Sequence, residues 1–255
     1  MELDLESELL GFLGDNDESQ NIIKRLIKQG VDVNTRNRYG QTALFFSFSN
    51  TTNILINAGA HVDIKDNTGK TPLFLSDSEK SKILIENGAN VNSKNRRGDT
   101  PIFISDRDKM KVLIEAGADV NSKNNLGQTP LFYSYGTSDI LIQNKALMNI
   151  QDCYGKSALF YSNLYKTKLL VENGANIYIK DSYGKTALDH CKLLGKRMFL
   201  IRVIAADKIV RYIRMFLAFK KVNYLRSLPE NLFKDEFRYT RMKILGISDF
   251  WMSTL

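Results

Sequence analysis

Near-copies of Gly-Lys-Thr-Pro-Leu-Phe, as it stands at Gly69 to Phe74, begin at Gly40, Gly69, Gly98, Gly127, Gly155 and Gly184. The starts step by 29, 29, 29, 28 and 29 residues. A second signature keeps the same interval, Ala-Gly-Ala at Ala58 and Ala116 and Asn-Gly-Ala at Asn87 and Asn173. A fixed period of this length means one supersecondary unit said over and over, each copy too small to bury its own apolar face and so stacked on its neighbours.

The unit can be read from its residues. After the turn glycine comes Thr-Pro or Thr-Ala, and proline suits a first helical position, where its missing donor costs nothing. Thr71, Thr100 and Thr129 are therefore expected to start helices as N-caps, their hydroxyls accepting a backbone N–H. A second apolar stretch follows, as in Ile83-Leu84-Ile85 and Val112-Leu113-Ile114, and stops at Gly88 or Gly117, a left-handed helix end. Extended residues such as Val91 to Lys94 then lead into a polar turn, Asn95-Arg96-Arg97-Gly98, able to form a hairpin tip.

These residues resemble the ankyrin repeat family, whose signature is Asp-x-x-Gly-x-Thr-Pro-Leu-His-x-Ala with a later Gly-Ala-Asp-Val-Asn. Asp66 to Phe74 and Gly117 to Asn121 match it closely, and the resemblance covers roughly Ile22 to Cys191. It implies an all-α solenoid of stacked helix-turn-helix units with hairpin loops, closed by a C-terminal helical cap or tail. Two departures matter. The period is four residues short of about 33, and the loss falls between Leu-Phe and the second helix, so the first helix is expected to be one turn shorter. The family's histidine is replaced by Phe45, Phe74, Phe103, Phe132 and Phe160. Aromatic side chains at repeat spacing are expected to pack between units as a phenylalanine ladder; an exposed recognition stripe is the alternative.

Three regions follow: a degenerate capping unit at 1–30, the repeat array at 31–191, and a basic helical region at 192–255. The cap lacks the Thr-Pro start, with an apolar stretch Leu5 to Leu13 and a helix-like run from Ile22 to Ile27 ending at Gly30. At the fifth unit Lys145 stands where the others have glycine, and the local geometry there is expected to change. In the last copy Asp189 replaces the phenylalanine, as suits a unit near the end of a stack.

The net charge of +8 is not spread evenly. From Lys192 onward 14 Lys and Arg face 5 Asp and Glu, which leaves 22 against 23 for everything before. Nucleic acid binding would then rest on the tail alone, whereas phosphate contact calls for a coherent basic face, so a nucleic acid partner is disfavoured. Lys196 to Arg226 reads as one or two loosely amphipathic helices with too many charges to span a bilayer. Membrane contact is open only through 196–226. Besides a cap on the array, two other roles stay open for the tail. Ile209 to Lys221 has the basic, aromatic character of a partner or membrane-surface helix. Leu228-Pro229-Glu230-Asn231-Leu232 faintly resembles the opening of the F-box-like segments that close many poxviral ankyrin proteins, which implies a viral or bacterial host-directed adaptor.

No chemistry-bearing motif is present. There is no dinucleotide or phosphate loop and no His-Glu-x-x-His, and the two histidines, His61 and His190, are far apart. Asp66, Asp152 and Asp181 recur at turns, where a carboxylate caps backbone N–H groups. Cys153 and Cys191 have no metal-ligand spacing, and the opening Met1 to Glu6 is acidic where a secretory leader would be basic. No enzyme, cofactor or metal is expected, and an intracellular location, the cytoplasm of a host cell included, is.

Surface recognition remains. The resemblance implies that a partner protein is held by the hairpin tips and the concave face of the first helices. The tip pairs are Arg38-Tyr39, Asn67-Thr68, Arg96-Arg97, Asn125-Leu126, Cys153-Tyr154 and Ser182-Tyr183. Tyr and Arg dominate binding hot spots, which selects Arg38, Tyr39, Arg96, Arg97, Tyr154 and Tyr183 as contact residues of a protein–protein interaction scaffold.

Overall fold

A computed structural model describes residues 16–226; the apolar stretch Leu5 to Leu13 and the Leu228 to Leu232 segment lie outside them. The chain forms two compact parts, Met1–Lys196 and Arg197–Leu255. In the first, helix α1 (Asp17–Lys28) is followed by α2 (Ala43–Phe46) and α3 (Ser49–Asn57), then α4 (Pro72–Leu75) and α5 (Ser78–Glu86). A 3₁₀ turn at Pro101–Ile104 pairs with α6 (Arg107–Glu115), α7 (Pro130–Tyr133) with α8 (Ser138–Gln143), and a second 3₁₀ turn at Ala158–Tyr161 with α9 (Leu164–Glu172). Helix α10 (Leu194–Arg226) starts at the end of this part and runs on as a single helix, not two. Among the described residues there is no strand, only isolated bridges between Gln151 and Ser157 and between Lys180 and Thr186.

The short period has the expected effect: every first helix from α2 on is a single turn of four residues. First helices stack on first helices and second on second. Leu44, Leu73, Ile102 and Leu131 from the first helices and Leu55, Leu84, Leu113, Leu141 and Leu170 from the second have no exposed surface. Each such burial contributes about 1.5–3 kcal/mol, which makes the leucine columns the bulk of the cohesive energy.

The threonines do not act as expected. Thr42, Thr71, Thr100 and Thr129 hold the extended backbone of an N-cap, but none makes a side-chain cap bond. In a one-turn helix the donor that the hydroxyl would take is already used: Phe74 N–H donates to the Thr71 carbonyl at 3.0 Å, and Phe45, Phe103 and Phe132 repeat the bond. The Thr42 and Thr71 hydroxyls are left buried without a partner, while Thr100 pairs with Ser122 at 3.1 Å. Capping falls instead on the second helices, where Asp77, Asp106 and Asn163 accept from the backbone N–H of Lys80, Lys109 and Lys166 at 2.8–2.9 Å.

Those three lysines are buried, and their ammonium groups reach back into the preceding repeat. Lys80 Nζ donates to the carbonyls of Phe45 at 3.2 Å and Ser47 at 2.8 Å, and Lys109 Nζ to that of Phe74 at 3.0 Å. Lys166 Nζ meets the carbonyls of Leu131 and Phe132. At the end of the array Lys196, in the first turn of α10, closes on Leu159 and Ser162 at 2.8 Å each. A one-turn helix leaves its last carbonyls unbonded, and a lysine from the next repeat supplies the donors. Desolvation pushes Lys80 down to about 7 and Lys109 and Lys166 to about 8, and lowers Lys196 as well.

Hydroxyl pairs brace the same corner, Ser47 with Thr52, Ser76 with Ser81, and Ser162 with Thr167, each at 2.7 Å. In the fifth repeat the pair is Ser134 and Ser138 at 3.0 Å, one residue closer in sequence. The residue missing from that repeat is therefore lost at the start of α8, which is six residues long where its counterparts have nine. Lys145 itself does not alter the path: it takes the glycine conformation, φ 65°, and Ala146 N–H still closes on Leu141 at 2.9 Å. The expected change of geometry there is corrected to conserved geometry with backbone strain.

Two outcomes follow. Lys145→Gly should raise the midpoint of urea unfolding by the equivalent of about 1 kcal/mol, since a side chain disfavours the left-handed region by that order. As pH rises from about 7 to about 9.5 the array should become more stable by more than about 1 kcal/mol. The unfolded chain keeps its lysine protons up to the ordinary 10.5 while the folded chain releases them near 7 to 8, so the unfolded state binds more protons across that window. Urea midpoints measured along the pH series check this; a flat or falling midpoint contradicts it.

Candidate functional site

The hairpin tips are built by the residue that opens each turn. Asp66 accepts from the backbone N–H of Thr68 at 2.8 Å and of Lys70 at 2.9 Å. Asn37, Asn95, Asn124, Asp152 and Asp181 repeat this pair of bonds in their own turns. The recurrent carboxylates are thus turn caps, as the sequence suggests. Asp181 takes a further bond from the His190 ring at 2.6 Å, and Asp152 one from the Tyr161 hydroxyl at 2.7 Å.

Successive tips are joined backbone to backbone. Asn67 N–H donates to Tyr39, Arg96 to Thr68, Asn125 to Arg97, Cys153 to Leu126 and Ser182 to Tyr154, at 2.8–2.9 Å throughout. The approach is close enough to require glycine. Gly69 has φ +81°, and a Cβ there would stand 2.8 Å from the backbone nitrogen of Arg96 on the neighbouring tip. A second ladder runs beneath, in which the side chains of Arg36, Lys65 and Lys94 each bond a carbonyl one repeat on, at Lys65, Lys94 and Lys123. A third uses Asn34, Asn92 and Asn121, which bridge to the post-helix loops of the next repeat through both amide atoms.

On this row Arg38, Tyr39, Arg96, Arg97, Tyr154 and Tyr183 are all exposed, Tyr183 at 79%. The guanidinium of Arg38 stacks over the Tyr39 ring at 4.7 Å, and Arg97 Nε lies 3.4 Å from Asp99. Tyr154 and Tyr183 sit on adjacent tips. The Asn67-Thr68 tip separates Arg38-Tyr39 from Arg96-Arg97, and Asn125-Leu126 separates the arginines from Tyr154, so the six form one line and not a cluster.

Two sets of residues escape the sequence reading. Leu126, between the arginines and Tyr154, is 39% exposed. Phe46, Leu75, Ile104, Tyr133 and Tyr161 form an exposed apolar stripe, one per first helix. The signal was available, an apolar residue after each Leu-Phe or Ile-Phe pair at the repeat period. The phenylalanines before them are buried, Phe45, Phe74, Phe103 and Phe132 having at most 6% of their surface exposed. Their ring partners correct the ladder: Phe103 meets Tyr133 at 5.8 Å and Phe132 meets Tyr161 at 5.7 Å, so each ring packs on the residue after the next repeat's phenylalanine. His190 takes that place against Phe160 at 5.7 Å, a packing and turn-bracing role.

Among the described residues no group of His, Cys, Asp and Glu could hold a metal ion, and no helix is long and apolar enough to cross a membrane. Cys153 is exposed and Cys191 buried, both as free thiols.

Residues 14–95 match the family model of ankyrin repeats, in three copies. No curated protein matches the chain. The ankyrin repeat domain of Bcl-3, a member of the IkappaB protein family, is similar in structure, with a TM-score of 0.64 and 20% identity over 79% of this chain and 98% of the other. The human ASB11 ankyrin repeat domain gives 0.66 and 22% identity over 78% and 97%. With the repeat pattern, the stacked single-turn and longer helices and the bonded hairpin tips, these matches show ankyrin repeats at residues 14–95 and the ankyrin-repeat fold for the array.

Proposed function

We propose that the array is a non-catalytic scaffold that binds a partner protein through its hairpin tips and the exposed stripe of its first helices. The observation that carries this is the row of tips. Five backbone hydrogen bonds hold the tips in line before any partner arrives, and tyrosine and arginine side chains project from them. Such preorganisation lowers the ordering cost of association, and these side chain types give large contact area for few frozen torsions. The free thiols at Cys153 and Cys191 favour a reducing intracellular setting.

A second reading has its own observation. Helix α10 exposes Ile209, Tyr212, Ile213, Phe216 and Phe219 among lysines and arginines, a composition suited to an anionic surface or a partner groove. The F-box-like segment that would make the tail an adaptor falls outside the described residues.

One comparison separates the two in the full chain. Replacing Arg96, Arg97 and Tyr154 by alanine should weaken capture of the partner at least about tenfold, as loss of central hot-spot residues does, with an unchanged circular dichroism spectrum. Replacing Arg202, Lys208, Arg214 and Lys221 by glutamine should leave capture within about twofold, since exposed charges that take no part in a contact matter little. The reverse pattern, with binding that falls steeply as salt is raised, moves the function to the tail.

A further inference from the structure

The lysine ladder skips one interface. Lys80 serves the second repeat, Lys109 the third, Lys166 the fifth and Lys196 the sixth, each donating to carbonyls at the end of the first helix behind it. In the fifth repeat the residue before the bracing hydroxyl of Ser138, where the third, fourth and sixth have Lys80, Lys109 and Lys166, is Thr137. Its side chain stops about three heavy atoms short of the reach of lysine. At that interface a cavity of about 400 Å³ opens, lined by Phe103, Ser105, Met110, Tyr133, Tyr135 and Thr137. Phe103 and Ser105 are the counterparts of Phe45 and Ser47, whose carbonyls hold Lys80. Among the described hydrogen bonds none ends on the Phe103 or Ser105 carbonyl.

We propose that this cavity binds a primary alkylammonium group, supplied by a lysine side chain of a partner protein. The four lysine-filled interfaces define the chemistry: an ammonium donating to carbonyls at a one-turn helix end, on an apolar stem. The four-methylene stem that fits those interfaces is that of lysine, which favours a protein source over a free polyamine. At this interface Met110 replaces the second hydroxyl of the brace, and Ser105 turns back to the Pro101 carbonyl at 2.8 Å, so neither side chain occupies the path. Asp106 stands at the wall, and its equivalent one repeat back, Asp77, favours the charge on Lys109. The Tyr135 ring, with Lys166 Nζ 5.5 Å from its centre, forms the side toward the next lysine. The mouth lies beside Ile104 and Tyr133 of the exposed stripe, so the source as a partner's lysine rests on the protein-binding reading, while the ammonium chemistry of the cavity does not.

The test uses the full chain, isotope-labelled, with amide resonances followed by NMR. Titration with Nα-acetyl-lysine N-methylamide should give saturable shifts at Ser105, Gly136 and Thr137. The neutral norleucine analogue, with the same stem, should bind at least about tenfold more weakly, because charge-assisted hydrogen bonds are lost. Thr137→Lys should abolish the response by filling the cavity from within, and Thr137→Val should retain it within about twofold. Should Thr137→Lys fail to fold, the norleucine comparison decides alone. Absence of saturable shifts, equal response to norleucine, or persistence in folded Thr137→Lys overturns the assignment. Putrescine binding tenfold tighter than the lysine probe overturns the protein source. The variant lacking Arg96, Arg97 and Tyr154 should respond as the wild type does, which keeps failure of this site separate from failure of the tip reading.

Discussion

A helix of four residues cannot satisfy its own carbonyls. The shortened period forces this condition on every repeat from the second to the sixth, and at all but the fourth the chain meets it by bringing a lysine from the repeat that follows. An unpaired buried carbonyl costs about 1–3 kcal/mol, comparable to the gain from burying one leucine. The leucine columns therefore supply most of the adhesion, and they would tolerate some sliding. The lysines do not, because an ammonium displaced by a few ångströms loses its acceptors while remaining dehydrated. Register and direction in the stack come from the costly groups, and cohesion from the apolar ones.

The same division appears at the surface. Backbone bonds between tips, the bridging asparagines and the Arg36–Lys65–Lys94 ladder consume main-chain polarity at every interface. What is left over at the tips is side chain alone, and those side chains carry no packing duty. The scaffold can thus accept tyrosine, arginine, leucine or serine at a tip without a change of path, which is the physical basis for reading the tips as a recognition surface.

Much of this was legible in the sequence. The repeat, the left-handed glycines and the turn-capping aspartates follow from local residue chemistry, and the shortened first helices from the period set against that of the ankyrin repeats the chain resembles. The failures are of another kind. Thr71 was read as a cap because its position is right, yet its own carbonyl had already taken the donor. The sequence gives no sign of the burial of Lys80, Lys109 and Lys166, since a lysine four residues before a leucine says nothing of which carbonyls face it across an interface. Lys145 stands where a change of local geometry is expected, yet it takes the glycine conformation and the path is kept. Among the proposed contact residues, the order along the row is readable from the period; the position of Leu126 and of the apolar stripe is too, but their exposure is not, because it depends on what stacks behind a helix.

Because Lys80, Lys109, Lys166 and Lys196 reach backward, the first-helix carbonyls they meet are satisfied by the successor repeat. Synthesis from the amino end then imposes a lag: the carbonyls of Phe45 and Ser47 stay hydrated on the nascent chain until Lys80 has left the ribosome, and those of Leu159 until Lys196 has. The growing array always carries one unfinished repeat at its ribosome-proximal edge. A chain that stops before Lys80, Lys109, Lys166 or Lys196 leaves the first-helix carbonyls of the preceding repeat without their ammonium donor.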